Sequence, residues 1–142
     1  MKRVDTVATP SINDTNRNSQ IFAKVLIVDD EEDFLDIMSQ RLSVRGIDVS
    51  VTTSAENALT MIDEEPFDVL IIDCMMPGMD GFKTLKALKA QTPDVEVILH
   101  TAYIPEVQVA EALKLGALDV IEKPADLDLL IRMILDAKQR KS

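Results

Sequence analysis

The chain has 142 residues, 46% of them hydrophobic, and a formal net charge of −10. This length suits one domain with a single core, and the negative charge disfavours nonspecific binding to nucleic acid or to anionic membranes. No apolar run is long enough to span a membrane and the first residues lack the apolar stretch of a signal peptide, so we expect a cytoplasmic protein. The single cysteine, Cys74, excludes an internal disulfide.

The chain divides into two parts of different composition. Residues 1–22 are rich in Ser, Thr, Asn and Asp and show no helical or strand period, which predicts a flexible leader. After them, five short apolar runs alternate with five amphipathic stretches, a pattern typical of an α/β domain. We therefore predict one domain over residues 23–140, with no output domain after it.

The strands are predicted where the apolar runs lie, at residues 25–28, 47–52, 69–72, 95–99 and 118–121. The four branched apolar residues at 69–72 indicate a strand buried on both faces, as in a parallel sheet. Residues 47–52 alternate between apolar and polar, which favours an edge strand.

Helices are predicted between and after these strands. Residues suited to helix starts and glycines suited to helix ends mark their limits, namely Ser54, Asp80, Pro105, Asp126, Gly46 and Gly116. The lysines of the third helix, Lys83, Lys86 and Lys89, are interpreted as a solvated face, and the fourth helix carries three spaced apolar residues. For the last helix we predict five residues on the core side: Leu127, Leu130, Ile131, Ile134 and Leu135.

Polar residues follow the predicted strands at the same kind of place: Asp29 and Asp30 after the first, Asp73 after the third, Thr101 after the fourth and Lys123 after the fifth. In open parallel sheets, ligands bind at the carboxyl ends of the strands. Three converging carboxylates repel one another and need a hard cation, and oxygen ligands suit Mg²⁺. With a lysine charge and a threonine hydroxyl beside them, these residues predict phosphoryl transfer to an aspartate nucleophile.

Four segments in this order resemble the receiver domain of two-component response regulators, over about residues 24 to 139. They are VLIVDDEED (25–33), VLIIDCMMPGMDG (69–81), Thr101-Ala102 and Glu122-Lys123-Pro124. The resemblance implies a flavodoxin-like (βα)5 fold, a doubly wound parallel sheet with strand order 2-1-3-4-5. It also implies a cis peptide bond between Lys123 and Pro124.

The resemblance also implies the roles of individual residues. Asp73 would accept a phosphoryl group from a sensor histidine kinase, and Thr101 and Lys123 would engage its oxygens. Asp29, Asp30, Asp73 and the backbone carbonyl of Met75 would hold Mg²⁺. Such a protein is not an enzyme beyond its own phosphorylation and dephosphorylation.

Phosphorylation is expected to switch a protein-binding surface formed by helix 4, strand 5 and helix 5, in a monomer or a phosphorylation-dependent homodimer. No direct contact with nucleic acid or membrane is expected. Two alternatives stay open: a phosphorelay intermediate that passes phosphate to a histidine phosphotransfer protein, and the receiver fragment of a longer regulator.

Some positions depart from the family's pattern or qualify its chemistry. Receivers usually have an aromatic residue three before the lysine, where this chain has Val120, so we expect the loop of Thr101 and the fourth helix to carry the output. Met75 and Tyr103 are bulky and carry no acid or amide that would orient water, which predicts slow self-dephosphorylation. His100, the only histidine, is predicted to have a core or surface role rather than a catalytic one.

Two other classes of protein fit less well. A phosphatase with an aspartyl nucleophile would need a second Asp two residues after Asp73, where this chain has Met75. A flavin-binding module would need a phosphate cradle after the first strand, and the five acids at residues 29–33 would repel a phosphate there.

Overall fold

The structure is a computed structural model that describes residues 23–77, 80–102 and 104–141. The strands are β1 (Ala23–Val28), β2 (Ile47–Thr52), β3 (Val69–Ile72), β4 (Glu96–Thr101) and β5 (Asp119–Glu122). Within these ranges they form one parallel sheet in the order β2-β1-β3-β4-β5. The implied flavodoxin-like fold is therefore confirmed. The predicted leader, residues 1–22, and Tyr103 lie outside the described residues.

Helices cover both faces of the sheet. They are α1 (Glu32–Ser43), α2 (Ala55–Glu64), α3 (Gly81–Gln91), α4 (Glu106–Lys114) and α5 (Leu127–Lys141). Buried side chains of α1 and α5 join one apolar cluster with the sheet, and those of α2, α3 and α4 join another on the opposite face. This two-sided cover explains the continuous apolar runs of the central strands, because side chains on both faces of the sheet join an apolar cluster with helices.

The two central strands place the first pair of candidate site residues side by side. All four residues of β3 are buried, and in β1 every residue except Lys24 is buried. The last residue of β1, Val28, pairs with the last residue of β3, Ile72. Asp29 and Asp73 come directly after these two residues, so the register brings their backbones together at the carboxyl edge of the sheet. β2 lies at the edge of the sheet and is less buried, as predicted.

Local signals read from the sequence act as expected at several helix ends. Ser54 accepts a hydrogen bond from the backbone nitrogen of Asn57 at 3.1 Å. Asp126 accepts one from the backbone nitrogen of Asp128 at 3.1 Å. Gly46 ends the first helical segment with φ of 84°, a left-handed value that glycine adopts without steric cost.

Gly81 allows α3 to begin directly against the loop that follows Asp73. A Cβ atom added at this glycine would collide with the Cβ of Cys74. Asp80 caps the same helix by accepting hydrogen bonds from the backbone nitrogens of Phe82 at 3.0 Å and Lys83 at 3.2 Å. The loop after β3 is thus held between the end of the strand and the start of the helix.

The interpretation of Lys89 as part of a solvated face was wrong. Its ammonium donates to the carbonyl oxygens of Pro93 at 3.1 Å and Val95 at 2.8 Å, whereas Lys83 and Lys86 are exposed. The long lysine side chain packs its methylenes near Gly116 while its charged end donates to backbone carbonyls.

Helix α4 presents most of its apolar side chains to solvent. Among its described residues only Ala112 is buried, while Val107 and Leu113 are 76% and 45% exposed. In α5, Leu130 and Ile134 are buried as predicted, and Leu135 is half-buried outside both core clusters. None of the helices in the described ranges is long and apolar enough to cross a membrane.

Candidate functional site

Three carboxylates meet at the carboxyl ends of β1 and β3. Asp29 and Asp73 are 1% and 7% exposed, and Asp30 is exposed. One side-chain oxygen from each of the three lies within 4.8 Å of the others. The structure therefore brings together the three acids that the sequence analysis selected as metal ligands.

Backbone hydrogen bonds fix the two buried carboxylates. The backbone nitrogen of Glu31 donates to Oδ1 of Asp29 at 3.0 Å, and that of Met75 donates to Oδ1 of Asp73 at 2.8 Å. The backbone nitrogen of Asp73 donates in turn to the carbonyl of Val28 at 3.0 Å, which continues the sheet ladder past the strand ends. In each carboxylate one oxygen is thus held by the main chain, while the other lies against the side chain of a lysine.

That lysine is Lys123, which reaches the acids from the end of β5. Its ammonium lies 2.7 Å from Oδ2 of Asp29, 3.2 Å from Oδ2 of Asp73 and 3.4 Å from Oε1 of Glu31. Its backbone nitrogen donates to the carbonyl of Thr101 at 2.7 Å, and its bond to Pro124 is cis, as the resemblance implied. The cation therefore bridges the two buried acids at the centre of the site.

At this ion pair, burial disfavours the charged forms of the side chains, whereas their opposite charges favour them. Burial raises the pKa of Asp29 above its ordinary value, and the hydrogen bond from Lys123 only partly offsets this. Burial also disfavours the charged form of Lys123, but its hydrogen bonds to Asp29 and Asp73 and their charges outweigh this, so its pKa is raised. The lysine consequently stays positively charged at neutral pH.

Thr101 is fully buried beside these groups, and its hydroxyl has no oxygen or nitrogen hydrogen-bond partner among the described residues, with only the weakly bonding thiol of Cys74 near it. A buried polar group without a partner costs about 1–3 kcal/mol. A ligand oxygen within reach of this hydroxyl would recover that free energy. The orphaned hydroxyl is therefore what a site that receives an oxygen-rich group requires.

Two aromatic side chains complete the surroundings of the lysine, and motif reading did not connect them with the site. The Lys123 ammonium lies 4.9 Å from the centroid of the Phe34 ring, and the His100 ring lies 5.4 Å from that centroid at an interplanar angle of 36°. In the sequence, Phe34 is one apolar residue of an amphipathic helix, and no local pattern relates it to β5. His100 is 2% exposed, so of the two predicted roles it has the core one.

Other residues near the site take more peripheral positions. The side chain of Met75 is 60% exposed beside the acids. Cys74 is half-buried against the apolar cluster, and burial raises the pKa of its thiol, which keeps it protonated. Val120 is half-buried and packs against the same cluster.

Comparison with known proteins agrees with this fold. The family model described as "Response regulator receiver domain" matches residues 25–135. The transcriptional regulatory protein ZraR of Escherichia coli (strain K12) is 40% identical over 106 residues, which are 75% of this chain and 24% of ZraR.

Two solved structures are similar over most of the chain. The receiver domain of the Francisella response regulator 1452 has a TM-score of 0.78 and 32% identity, covering 84% of this chain and 99% of that one. The beryllofluoride-activated NtrC4 receiver domain dimer has a TM-score of 0.79 and 30% identity, covering 84% and 98%.

A five-stranded parallel sheet with an acid cluster, a threonine and a lysine at its carboxyl edge defines a protein of the receiver class. The chain belongs to the response regulator receiver domain family. Receiver domains of this family change their state when they are phosphorylated, and they generally bind Mg²⁺ at an acidic pocket. Their partners are histidine kinases and effector domains. The chain spans about a quarter of the length of the first curated relatives that it matches.

Proposed function

We propose that this chain accepts a phosphoryl group from a sensor histidine kinase on Asp73 and thereby switches a protein-binding surface. The observation that carries the proposal is the bridging ammonium of Lys123, 2.7 Å from Asp29 and 3.2 Å from Asp73. It places a fixed cation beside a buried carboxylate whose other oxygen is held by the backbone of Met75. This arrangement suits a carboxylate that gains a doubly charged group.

The residues present fit Mg²⁺. Their donor atoms are carboxylate oxygens, which hard divalent cations prefer, and they are close enough together to share one ion. Asp29, Asp30, Asp73 and the backbone carbonyl of Met75 would hold it. When bound, Mg²⁺ would neutralise the acid cluster and draw in the charged phosphoryl group.

The chain's own residues then have separate tasks in the transfer. A carboxylate oxygen of Asp73 attacks phosphorus, and the bond from phosphorus to the donor imidazole nitrogen breaks with its electron pair left on that nitrogen. The Lys123 ammonium stabilises the negative charge of the phosphoryl oxygens. The unpartnered hydroxyl of Thr101 donates to one of these oxygens. Beyond its own phosphorylation and dephosphorylation, we propose no other catalysis for the chain.

The surface that responds is proposed to be formed by α4, β5 and α5, in contact with a downstream protein or with a second copy. Apolar side chains exposed there support this, since Val107, Leu113 and Leu129 are 76%, 45% and 38% exposed. The similar NtrC4 receiver is a dimer in its activated form. No direct contact with nucleic acid or membrane is part of the proposal, and its setting is the cytoplasm, where sensor kinases present their phosphorylated histidine.

A second candidate is that these residues are the receiver of a longer regulator. The observation that favours it is the coverage of ZraR, of which the chain matches 24%. A phosphorelay step to a histidine phosphotransfer protein is the third possibility and uses the same aspartate. In all three cases we propose residues 23–140 as the receiver domain.

The test is incubation with acetyl phosphate and Mg²⁺, followed by mass measurement of the intact protein. We expect the wild type to gain one phosphoryl group and Asp73→Asn to gain none. Asp63→Asn, which removes an exposed acid of α2, serves as the matched control and should behave as the wild type does. An equal gain in the wild type and in Asp73→Asn, or no gain in the wild type, would contradict the proposal.

A further inference from the structure

We propose that Phe34 and His100 are positioning residues of the acceptor site, which hold the ammonium of Lys123 in place over Asp29 and Asp73. This inference rests on the proposed function, because the position of the lysine matters most when a phosphoryl group arrives. It concerns two residues outside the four segments of the family resemblance: Phe34 directly follows residues 25–33, and His100 directly precedes Thr101. Neither residue touches the reacting atoms.

The ammonium of Lys123 contacts the ring of Phe34. The lysine reaches the acids from β5 on a flexible side chain, and its contacts with three carboxylates alone would let its methylenes adopt several rotamers. The Phe34 ring, whose centroid is 4.9 Å from the ammonium, adds a contact of a different kind, with an aromatic face. A cation over an aromatic face is attracted by the ring quadrupole, more strongly where water is excluded. The side chain of Lys123 is only 17% exposed, so this contact is largely shielded.

Phe34 is itself held in position by a contact with His100. The ring is half-buried at the start of α1, and His100 of β4 packs against it with a centroid distance of 5.4 Å. A tilted aromatic pair at this distance is favourable. The imidazole is buried, and neither of its nitrogens has a hydrogen-bond partner in the part of the chain that the structure describes. The ring therefore contributes by packing on Phe34 rather than by hydrogen bonding.

The charge state of His100 also affects the position of Lys123. A protonated imidazole here would place a second positive charge near Lys123 and would repel it. Burial and the charge of Lys123 lower the pKa of His100 to about 4, so the ring is neutral at physiological pH. A neutral aromatic ring can support Phe34 beneath a cation, whereas a charged one would weaken the arrangement.

The experiment measures the initial rate of phosphorylation by acetyl phosphate at a subsaturating concentration. We expect Phe34→Leu to slow the reaction by about threefold to thirtyfold, the range that corresponds to a cation–π contact. Phe34→Tyr keeps the ring face and should retain the rate. His100→Leu should slow it less, and the double variant should be no slower than Phe34→Leu, because both changes remove the same support.

Phe67→Leu is the matched control. Phe67 also lies beneath a lysine, with Lys24 at 5.5 Å from its centroid, but at the opposite end of the sheet, and it is buried. Its replacement should lower the denaturant midpoint without changing the phosphorylation rate. A Phe34→Leu rate equal to the wild type, or an equal slowing in Phe67→Leu, would overturn the inference.

A second readout does not depend on phosphorylation. The ε-methylene protons of Lys123 should be shifted upfield by the ring current of Phe34, and Phe34→Leu should return them to the ordinary lysine position. An unchanged shift in this variant would overturn the inference even if the rate fell. If the wild type gains no phosphate at all, the proposed function fails, and this NMR shift still decides whether Phe34 positions Lys123.

Discussion

Lys123 lies closer to Asp29 than to Asp73, at 2.7 Å against 3.2 Å between its ammonium nitrogen and the carboxylate oxygens. One cation thus neutralises both a proposed metal ligand and the proposed phosphoacceptor. A bound metal ion would have to share the carboxylates with Lys123, whereas a phosphoryl group would be stabilised by Lys123. The lysine should therefore oppose metal binding and favour phosphorylation.

Replacing Lys123 by Met should therefore change metal binding and phosphorylation in opposite directions. We expect Mg²⁺ to bind about tenfold more tightly, since a competing positive charge is removed from the acid cluster. Phosphorylation by acetyl phosphate should slow by at least about tenfold, since the developing charge loses its ammonium. Titration calorimetry and mass measurement give the two quantities.

Lys24→Met is the control for this variant. Lys24 pairs with Asp48 at 3.4 Å and with Glu65, at the other end of the sheet. Its loss should leave both Mg²⁺ affinity and phosphorylation rate unchanged. Weaker Mg²⁺ binding by Lys123→Met would show that the lysine orders the metal ligands rather than competing with the ion.

Thr101→Val tests the orphaned hydroxyl. Because that hydroxyl is buried without a partner among the described residues, its removal should not lower stability and should raise it by about 1 kcal/mol. The phosphorylation-dependent change in the NMR spectrum of residues 101–115 should be lost, since no donor then draws β4 toward the phosphoryl group. Urea unfolding and the spectra with and without acetyl phosphate measure both effects.

The comparison variant for Thr101→Val is Thr52→Val. The hydroxyl of Thr52 accepts a hydrogen bond from the backbone nitrogen of Ser54 at 3.2 Å, so its removal should destabilise the fold. If both variants lost stability equally, the Thr101 hydroxyl would have a partner in solution and the argument from its orphaned state would fail.

The buried imidazole of His100 should make stability depend on pH. Its pKa is lowered from 6.5 to about 4 by burial and by Lys123, so the unfolded chain binds a proton that the folded chain does not. The resulting stability is fully present above about pH 6.5 and is lost as the pH falls toward 4, to a total of about 3 kcal/mol. Urea midpoints measured between pH 4 and 7 should show a slope in the wild type that His100→Leu reduces.

The exposed side chain of Met75 should affect the lifetime of the phosphorylated form. Replacing it by Asn places an amide where it can orient an attacking water, and we expect self-dephosphorylation to be faster by about tenfold or more. Decay of the phosphorylated mass after removal of the donor gives the rate. An unchanged rate would mean that shielding by this side chain does not limit hydrolysis.

The acids, Thr101 and Lys123 lie at one edge of the sheet, as their places after the predicted strands indicated, because parallel strands bring their carboxyl ends to one edge whatever their order. The order itself came from the resemblance, since apolar periodicity does not specify which strands are neighbours. The contact between Phe34 and His100 could not be predicted from the sequence, because it depends on how α1 packs against β4. Lys89 was misread because a lysine that binds carbonyls and one that faces water occupy the same place in a helical pattern.

The outer edge of β5 has a consequence for assembly. β5 pairs with β4 on one side, and no other strand of the described chain covers its opposite side, where Asp119 and Glu122 are exposed. Two copies that approached strand to strand would bring like charges together, which resists uncontrolled joining of sheets into extended aggregates. Joining of two copies through the outer edge of β5 is therefore disfavoured, which leaves the helices of the proposed surface as the contact between the two members of a pair.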